Sequence, residues 1–165
     1  MRFRLLDEIT ELEPGRSITA IKRLRPDEDY LKDHFPKFPV MPGVLMLEAM
    51  FQASAWLVRA TDEFENPIVV LREARSVKYA SFLAPNQVLT VSAEISKHDN
   101  KTTKLKVQGV VDEVVAVSGR LVLERFSLSD RYPNDRGVDP YVRDCAKIEF
   151  ARLWKNEMRA AARER

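Results

Sequence analysis

The chain has a single cysteine, Cys145, among its 165 residues. One thiol excludes an intramolecular disulfide and any zinc site built on cysteines. Nor is there an excess of charge of either sign: 27 basic and 25 acidic side chains leave a net charge of +2. A balance that close gives no footprint for nucleic acid, and none is expected as a partner. No apolar run reaches membrane-spanning length, and the opening MRFRLLDEIT is too charged for a secretory leader. Histidine is scarce, with His34 and His98 alone. These absences point to a soluble, cytoplasmic protein of one domain with an appendage. Hydrophobic residues at 45% suit an ordinary globular core.

What is there centres on Asp33–Ala53, DHFPKFPVMPGVLMLEAMFQA. Pro36, Pro39 and Pro42 recur every third residue, and each fixes its own φ and biases the residue before it towards extended backbone. His34–Met41 is therefore a stiff loop, able to hold an imidazole in one orientation. Pro42-Gly43 leads into a helix over Val44–Ala60, apolar on nearly every face, as a buried core helix is. Glu48 is the anomaly in it. Burial favours the neutral form of a carboxyl group, which suits one to act as an acid near neutral pH. Gln52, one turn on, can hydrogen-bond that carboxyl. Gly43 lets a ligand approach the backbone, where the first N–H groups of a helix lack partners and can receive a thioester carbonyl oxygen. Taken singly, a histidine among prolines is more often structural, and a glutamate in an apolar helix more often ion-paired. Their ordered occurrence in one short segment is the stronger signal.

The segment resembles the β-hydroxyacyl-acyl-carrier-protein dehydratases, the FabZ type and more distantly FabA, whose pattern is roughly GHFPGxPxMPGVLxxEAMAQ. The spacing from His34 to Glu48 is kept without insertion, and the wider resemblance runs from about Leu5 to Leu128. The resemblance implies an α+β hotdog fold, a long antiparallel sheet wrapped around a central helix. It implies a homodimer, often extended in the family to a trimer of dimers, with sites at the subunit interface and acyl carrier protein as the partner. It implies that His34 and Glu48 are catalytic, Glu48 acting from the other protomer. Gly43 would bind the thioester carbonyl through its N–H, with Val44 beside it. Gln52 would orient the carboxyl, and the Val40 carbonyl would hold the imidazole. No metal or organic cofactor is called for. Phe35, Phe38, Met41, Met50 and Phe82 are candidates to line an acyl tunnel. Two positions depart from the pattern: Asp33 and Lys37 stand where the family usually has glycine, and a glycine there can serve a positive φ.

The implied reaction removes water from a (3R)-3-hydroxyacyl-acyl-carrier-protein. Two alternatives stay open: a hotdog thioesterase or hydratase of acyl-CoA, with His34 arguing against the thioesterase, and a non-catalytic or weakly catalytic acyl-binding or scaffold subunit.

The rest of the chain reads in order. Phe3–Leu12 reads as a short helix or turn, followed by a turn at Pro14-Gly15. Arg16–Leu24 reads as a strand, with Ile18, Ala20 and Leu24 on one side and Ser17, Thr19 and Lys22 on the other. A helical turn ends at Leu31. After the helix comes Ile68–Ala80, which the resemblance makes one long strand or two joined by a bulge, and then strands read over Val88–Lys97, Thr102–Val111 and Val114–Phe126. His98 sits in a hairpin loop and reads as exposed and inert; Arg75 and Lys78 read as solvated. The hotdog-like domain is expected over 1–128, with 129–165 a linker and helical extension. Asp139-Pro140 resembles a helix cap followed by the first helical proline. The helix is expected from Tyr141 to about Ala162. Its apolar stripe would be Val142, Cys145, Ile148, Ala151, Trp154 and Met158, with Arg143, Lys147, Arg152, Lys155 and Arg159 opposite. On that stripe Cys145 is a packing residue. The extension is expected to pack on the domain or a neighbouring subunit; a basic docking element for an acidic carrier protein is the alternative.

Overall fold

Alternation of apolar and polar residues along four long segments, broken by tight turns, produces an antiparallel sheet that must bury one face. The computed structural model describes residues 4–132 and 137–154. Its elements are β1 (Glu8–Glu13), β2 (Ser17–Arg23), a 3-10 turn (Asp29–Leu31), α1 (Gly43–Thr61), β3 (Ile68–Tyr79), β4 (Val88–His98), β5 (Thr102–Val111), β6 (Val114–Phe126), α2 (Leu128–Arg131) and α3 (Val138–Leu153). The strands form one sheet in the order β1-β2-β4-β5-β6-β3. Every neighbouring pair is antiparallel. Around α1 this sheet makes the expected α+β hotdog arrangement.

The period of two is visible in what each strand buries. Ile18 and Ala20 of β2, Leu89, Val91 and Ala93 of β4, Leu105 and Val107 of β5, and Leu121 and Leu123 of β6 are all nearly inaccessible. They close on Met46, Ala49, Met50, Ala53 and Leu57, one stripe of α1 at helical spacing. The β5–β6 hairpin turns at Asp112-Glu113, both with positive φ (47° and 66°). That is the mirror-image turn whose twist matches two-residue hairpins. β3 is a single long strand with two register shifts, at Leu71/Glu73 and Arg75/Lys78. Ser76 takes up the second with φ of 50°.

Several expectations are corrected. The helix or turn expected over Phe3–Leu12 is the edge strand β1 from Glu8 onward, paired with β2 from Glu8↔Ile21 to Glu13↔Ser17; Phe3 lies outside the described residues. Lys22 belongs to the apolar side of β2, buried and ion-paired to Glu28. His98 is engaged: Nδ1 meets Thr103 Oγ1 at 2.9 Å and Nε2 meets Asp62 Oδ1 at 3.1 Å. Buried Arg125 joins them, ion-paired to Asp62 and donating to Thr103 Oγ1 at 3.1 Å. This network ties the end of α1 to the β4–β5 hairpin.

The extension differs most. Ser127 and Asp130 make a capping box that starts α2. Asp139 does not cap its own helix, whose N-cap is Gly137. Its carboxylate reaches back instead and accepts the N–H of Leu128 at 2.7 Å and of Ser129 at 3.0 Å. Arg143, expected on the solvent face, donates to the carbonyls of Phe64 at 2.9 Å and Glu65 at 3.0 Å. With those two anchors, α3 turns Phe150, Leu153 and the adjoining Trp154 inward. Cys145 and Ile148 of the expected apolar stripe face solvent. Cys145 is therefore not a packing residue. The expected continuation to Ala162, with Lys155, Met158 and Arg159, lies outside the described residues.

Candidate functional site

The loop between the 3-10 turn and α1 is fastened at three points. The His34 N–H donates to the Tyr30 carbonyl at 3.1 Å, Phe38 N–H to Phe35 C=O at 2.7 Å, and Met41 N–H to Leu83 C=O at 2.9 Å. Between them Phe35 adopts a left-handed backbone with φ of 49°. Asp33 and Lys37 do not: neither has a positive φ. The two departures from the resemblance pattern therefore cost the loop no backbone strain.

Pro42 precedes α1 with φ of −54° and ψ of 134° and offers no side-chain cap. Its carbonyl takes the N–H of Leu45 at 2.9 Å and of Met46 at 3.2 Å. The N–H groups of Gly43 and Val44 find no acceptor among the described residues, so the positive end of α1 is open there. Gly43 lies in a close approach: a Cβ on it would stand 2.9 Å from Tyr79 Cε1, so the ring would have to move.

These pieces meet in a cleft of about 220 Å³ lined by His34, Val40, Met41, Gly43, Tyr79 and Phe82, with Met46 and Ser81. Val40 and Met41 are buried in its wall. Phe35, Phe38, Val44 and Phe82 are all about 60% exposed or more, an apolar rim around its mouth. Phe38 and Phe82 meet edge to face, with centroids 5.7 Å apart. The His34 ring packs tilted on Phe35 at 4.5 Å. Among the described residues the imidazole has no hydrogen-bond partner, the Val40 carbonyl included. Imidazole and helix N-terminus together can abstract a proton and stabilise the oxyanion that results.

Glu48 is half-buried on α1 and does not line this cleft. Gln52 Nε2 donates to Glu48 Oε1 at 2.9 Å, and Gln52 Oε1 accepts the Leu5 N–H at 3.0 Å. The glutamine is thus oriented by backbone and in turn orients the carboxyl. Met50, a candidate lining residue, is fully buried in the core. Sequence reasoning missed Tyr79 and Ser81, which reach the cleft from the end of β3. The signal was Gly43, whose bare backbone implies a close neighbour without saying which. No group of histidine, cysteine, aspartate and glutamate side chains suited to a metal occurs among the described residues. No helix of the described residues is long and apolar enough to cross a membrane.

Comparison with known proteins shows the family. A FabA-like domain family model matches residues 1–123. A 3-hydroxyacyl-acyl-carrier-protein dehydratase FabZ of Ruminiclostridium cellulolyticum is 36% identical over 119 residues, 72% of this chain and 84% of the relative. A FabZ of Clostridium botulinum is 37% identical over 123 residues, 74% of this chain and 81% of the relative. Among solved structures, the dehydratase heterocomplex ApeI:P from Xenorhabdus doucetiae aligns with a TM-score of 0.62 at 20% identity, covering 74% of this chain and 83% of that one. The uncharacterized protein PH1136 from Pyrococcus horikoshii aligns at 0.60 and 17% identity, over 75% of this chain and 85% of that one. At those identities the structural likeness speaks for the fold.

Proposed function

The chain belongs to the FabA-like family, and from that premise we propose that it is a hydro-lyase converting (3R)-3-hydroxyacyl-acyl-carrier-protein to the trans-2-enoyl thioester in fatty acid biosynthesis. FabZ relatives that match most of this chain carry that activity in their names. The carrying observation is the joining of His34 and the open Gly43 N–H in one apolar-rimmed cleft.

The thioester carbonyl oxygen accepts the Gly43 N–H at the positive end of α1. Its polarisation acidifies C2. His34 takes the C2 proton. The C2–H electron pair forms the C2=C3 double bond as the C3–O bond breaks. Glu48 of the partner subunit gives its proton to the departing hydroxyl, which leaves as water. Gln52 fixes the carboxyl for that donation, and the apolar rim formed by Phe35, Phe38 and Phe82 receives the acyl chain and excludes solvent. A second chain is part of this reading because Glu48 does not line the cleft that holds His34 in its own protomer. The catalytic unit is taken to end near Leu128, with α2 and α3 an extension; the family match ends at 123.

The test is enoyl formation from 3-hydroxyacyl-acyl-carrier-protein. His34→Ala and Glu48→Gln are each expected to lower kcat by about 10² to 10⁴, the usual worth of a positioned acid or base. A folded wild type inactive on every chain length, with carrier protein and coenzyme A thioesters alike, would overturn the proposal.

A further inference from the structure

α3 covers a second cavity, of about 220 Å³, on the other side of α1 from the His34 cleft's residues. Its apolar lining includes Leu6, Phe51, Trp56 and Leu153. Leu153 and Glu149 come from α3, beyond residue 123 where the family match ends. The charged lining is unbalanced. Glu149 is already held by Arg4 at 2.7 Å and by Arg152 at 2.8 Å. Arg59 has no carboxylate partner among the described residues. Its Nε donates to the Pro67 carbonyl at 3.3 Å and its Cζ lies 4.9 Å from the Trp56 ring centroid. Burial pulls its pKa down to about 10. A guanidinium has five N–H donors in a planar fork that matches a carboxylate. One left without an anion in an apolar setting is a costly arrangement that an incoming anion relieves.

We propose that this cavity is a binding site for a short, apolar-tailed carboxylate, its head on Arg59 and its tail against Trp56, Phe51 and Leu153. At the ~30 Å³ that a water molecule occupies in the liquid, the space holds about seven non-hydrogen atoms. That fits a carboxylate of four to six carbons. The ligand is either a free short-chain acid or the far-end carboxylate of an acyl thioester. Gln52 lines this cavity as well as holding Glu48, so occupancy is placed to be felt at the carboxyl.

The experiment is equilibrium binding of hexanoate, hexan-1-ol and hexylamine to the full chain, read by calorimetry without turnover. Its failure is therefore distinguishable from failure of the dehydratase reading. Hexanoate is expected to bind at least tenfold tighter than the alcohol or the amine. Arg59→Gln should erase that preference, Arg59→Lys should keep part of it, and Leu153→Trp should block all three by filling the space. A thioester with a far-end carboxylate that displaces hexanoate assigns the site to a substrate tail; failure to displace assigns it to a free acid. Equal binding of acid and alcohol, an acid preference that survives Arg59→Gln, or no saturable binding of hexanoate would overturn the proposal.

Discussion

Single positions decide more of this fold than their size suggests. Gly109, near the end of β5, is enclosed by two buried side chains. A Cβ there would stand 2.7 Å from Val117 Cγ1 and 2.8 Å from Leu89 Cδ1. Neither neighbour has room to retreat, since both are fully buried. Gly109→Ala is expected to destabilise the protein by about 1–3 kcal/mol through overpacking. Val117→Ala is expected to cost less in the Gly109→Ala background than in the wild type, because the tightest of the contacts disappears. Chemical denaturation of the two single variants and the double variant checks this; losses that simply add would count against it. Gly43, against the half-exposed Tyr79 ring, is the contrasting case, where the ring can swing aside but only by changing the shape of the His34 cleft.

At the scale of elements, most of the fold was legible where sequence period and burial coincide. α1, the long strands β3 to β6 and the turns between them follow from apolar spacing and from Pro85-Asn86 and Asp112-Glu113. β1 was not legible. Its EITELE favours helix by local propensity, and only pairing to β2 makes it a strand. The orientation of α3 was not legible either. Asp139, expected to cap its own helix, and Arg143, expected on the polar face, bind backbone groups of other segments and set the rotation, leaving Ile148 72% exposed. Of the cleft lining, His34, Val40, Met41, Gly43 and Phe82 were named from the sequence. Tyr79 and the cavity at Arg59 were not, because they depend on which segments the sheet brings together.

The Asp139 anchor also gives the α2–α3 junction a pH dependence. Burial works to raise its pKa, but the N–H donors of Ser129 and Leu128 and the charge of Arg143 outweigh it and hold the carboxyl below its ordinary value. A depressed folded-state pKa adds stability above the unfolded value, about 3.9, that is lost as pH falls through the folded one. Asp139→Ala is expected to cost about 1 kcal/mol at pH 7, as the loss of a capping side chain does. The difference from wild type should shrink steadily below about pH 4. Thermal unfolding of both proteins from pH 7 to pH 2 measures it, and a gap that does not change with pH would remove the carboxylate from the explanation.

At the scale of the whole molecule, one chain looks incomplete. β3 is an edge strand, and beside its end lie the exposed Tyr79, Phe82, Phe38 and Val44. An unpaired strand next to clustered exposed apolar side chains is what a subunit interface requires. The same geometry leaves Glu48 outside the His34 cleft of its own chain. If each active site takes His34 from one protomer and Glu48 from the other, mixing two inactive variants must restore activity. Co-refolding His34→Ala with Glu48→Gln in equal amounts gives mixed dimers in about half the population, as random pairing of a two-fold dimer dictates. Each mixed dimer carries one site with both native groups and one site with neither. Activity should therefore rise to about a quarter of the wild-type value. Were both groups drawn from the same chain, every site in the mixture would lack one of them, and mixing would restore nothing. The recovered fraction thus distinguishes a shared site from a self-contained one without any structure of the dimer.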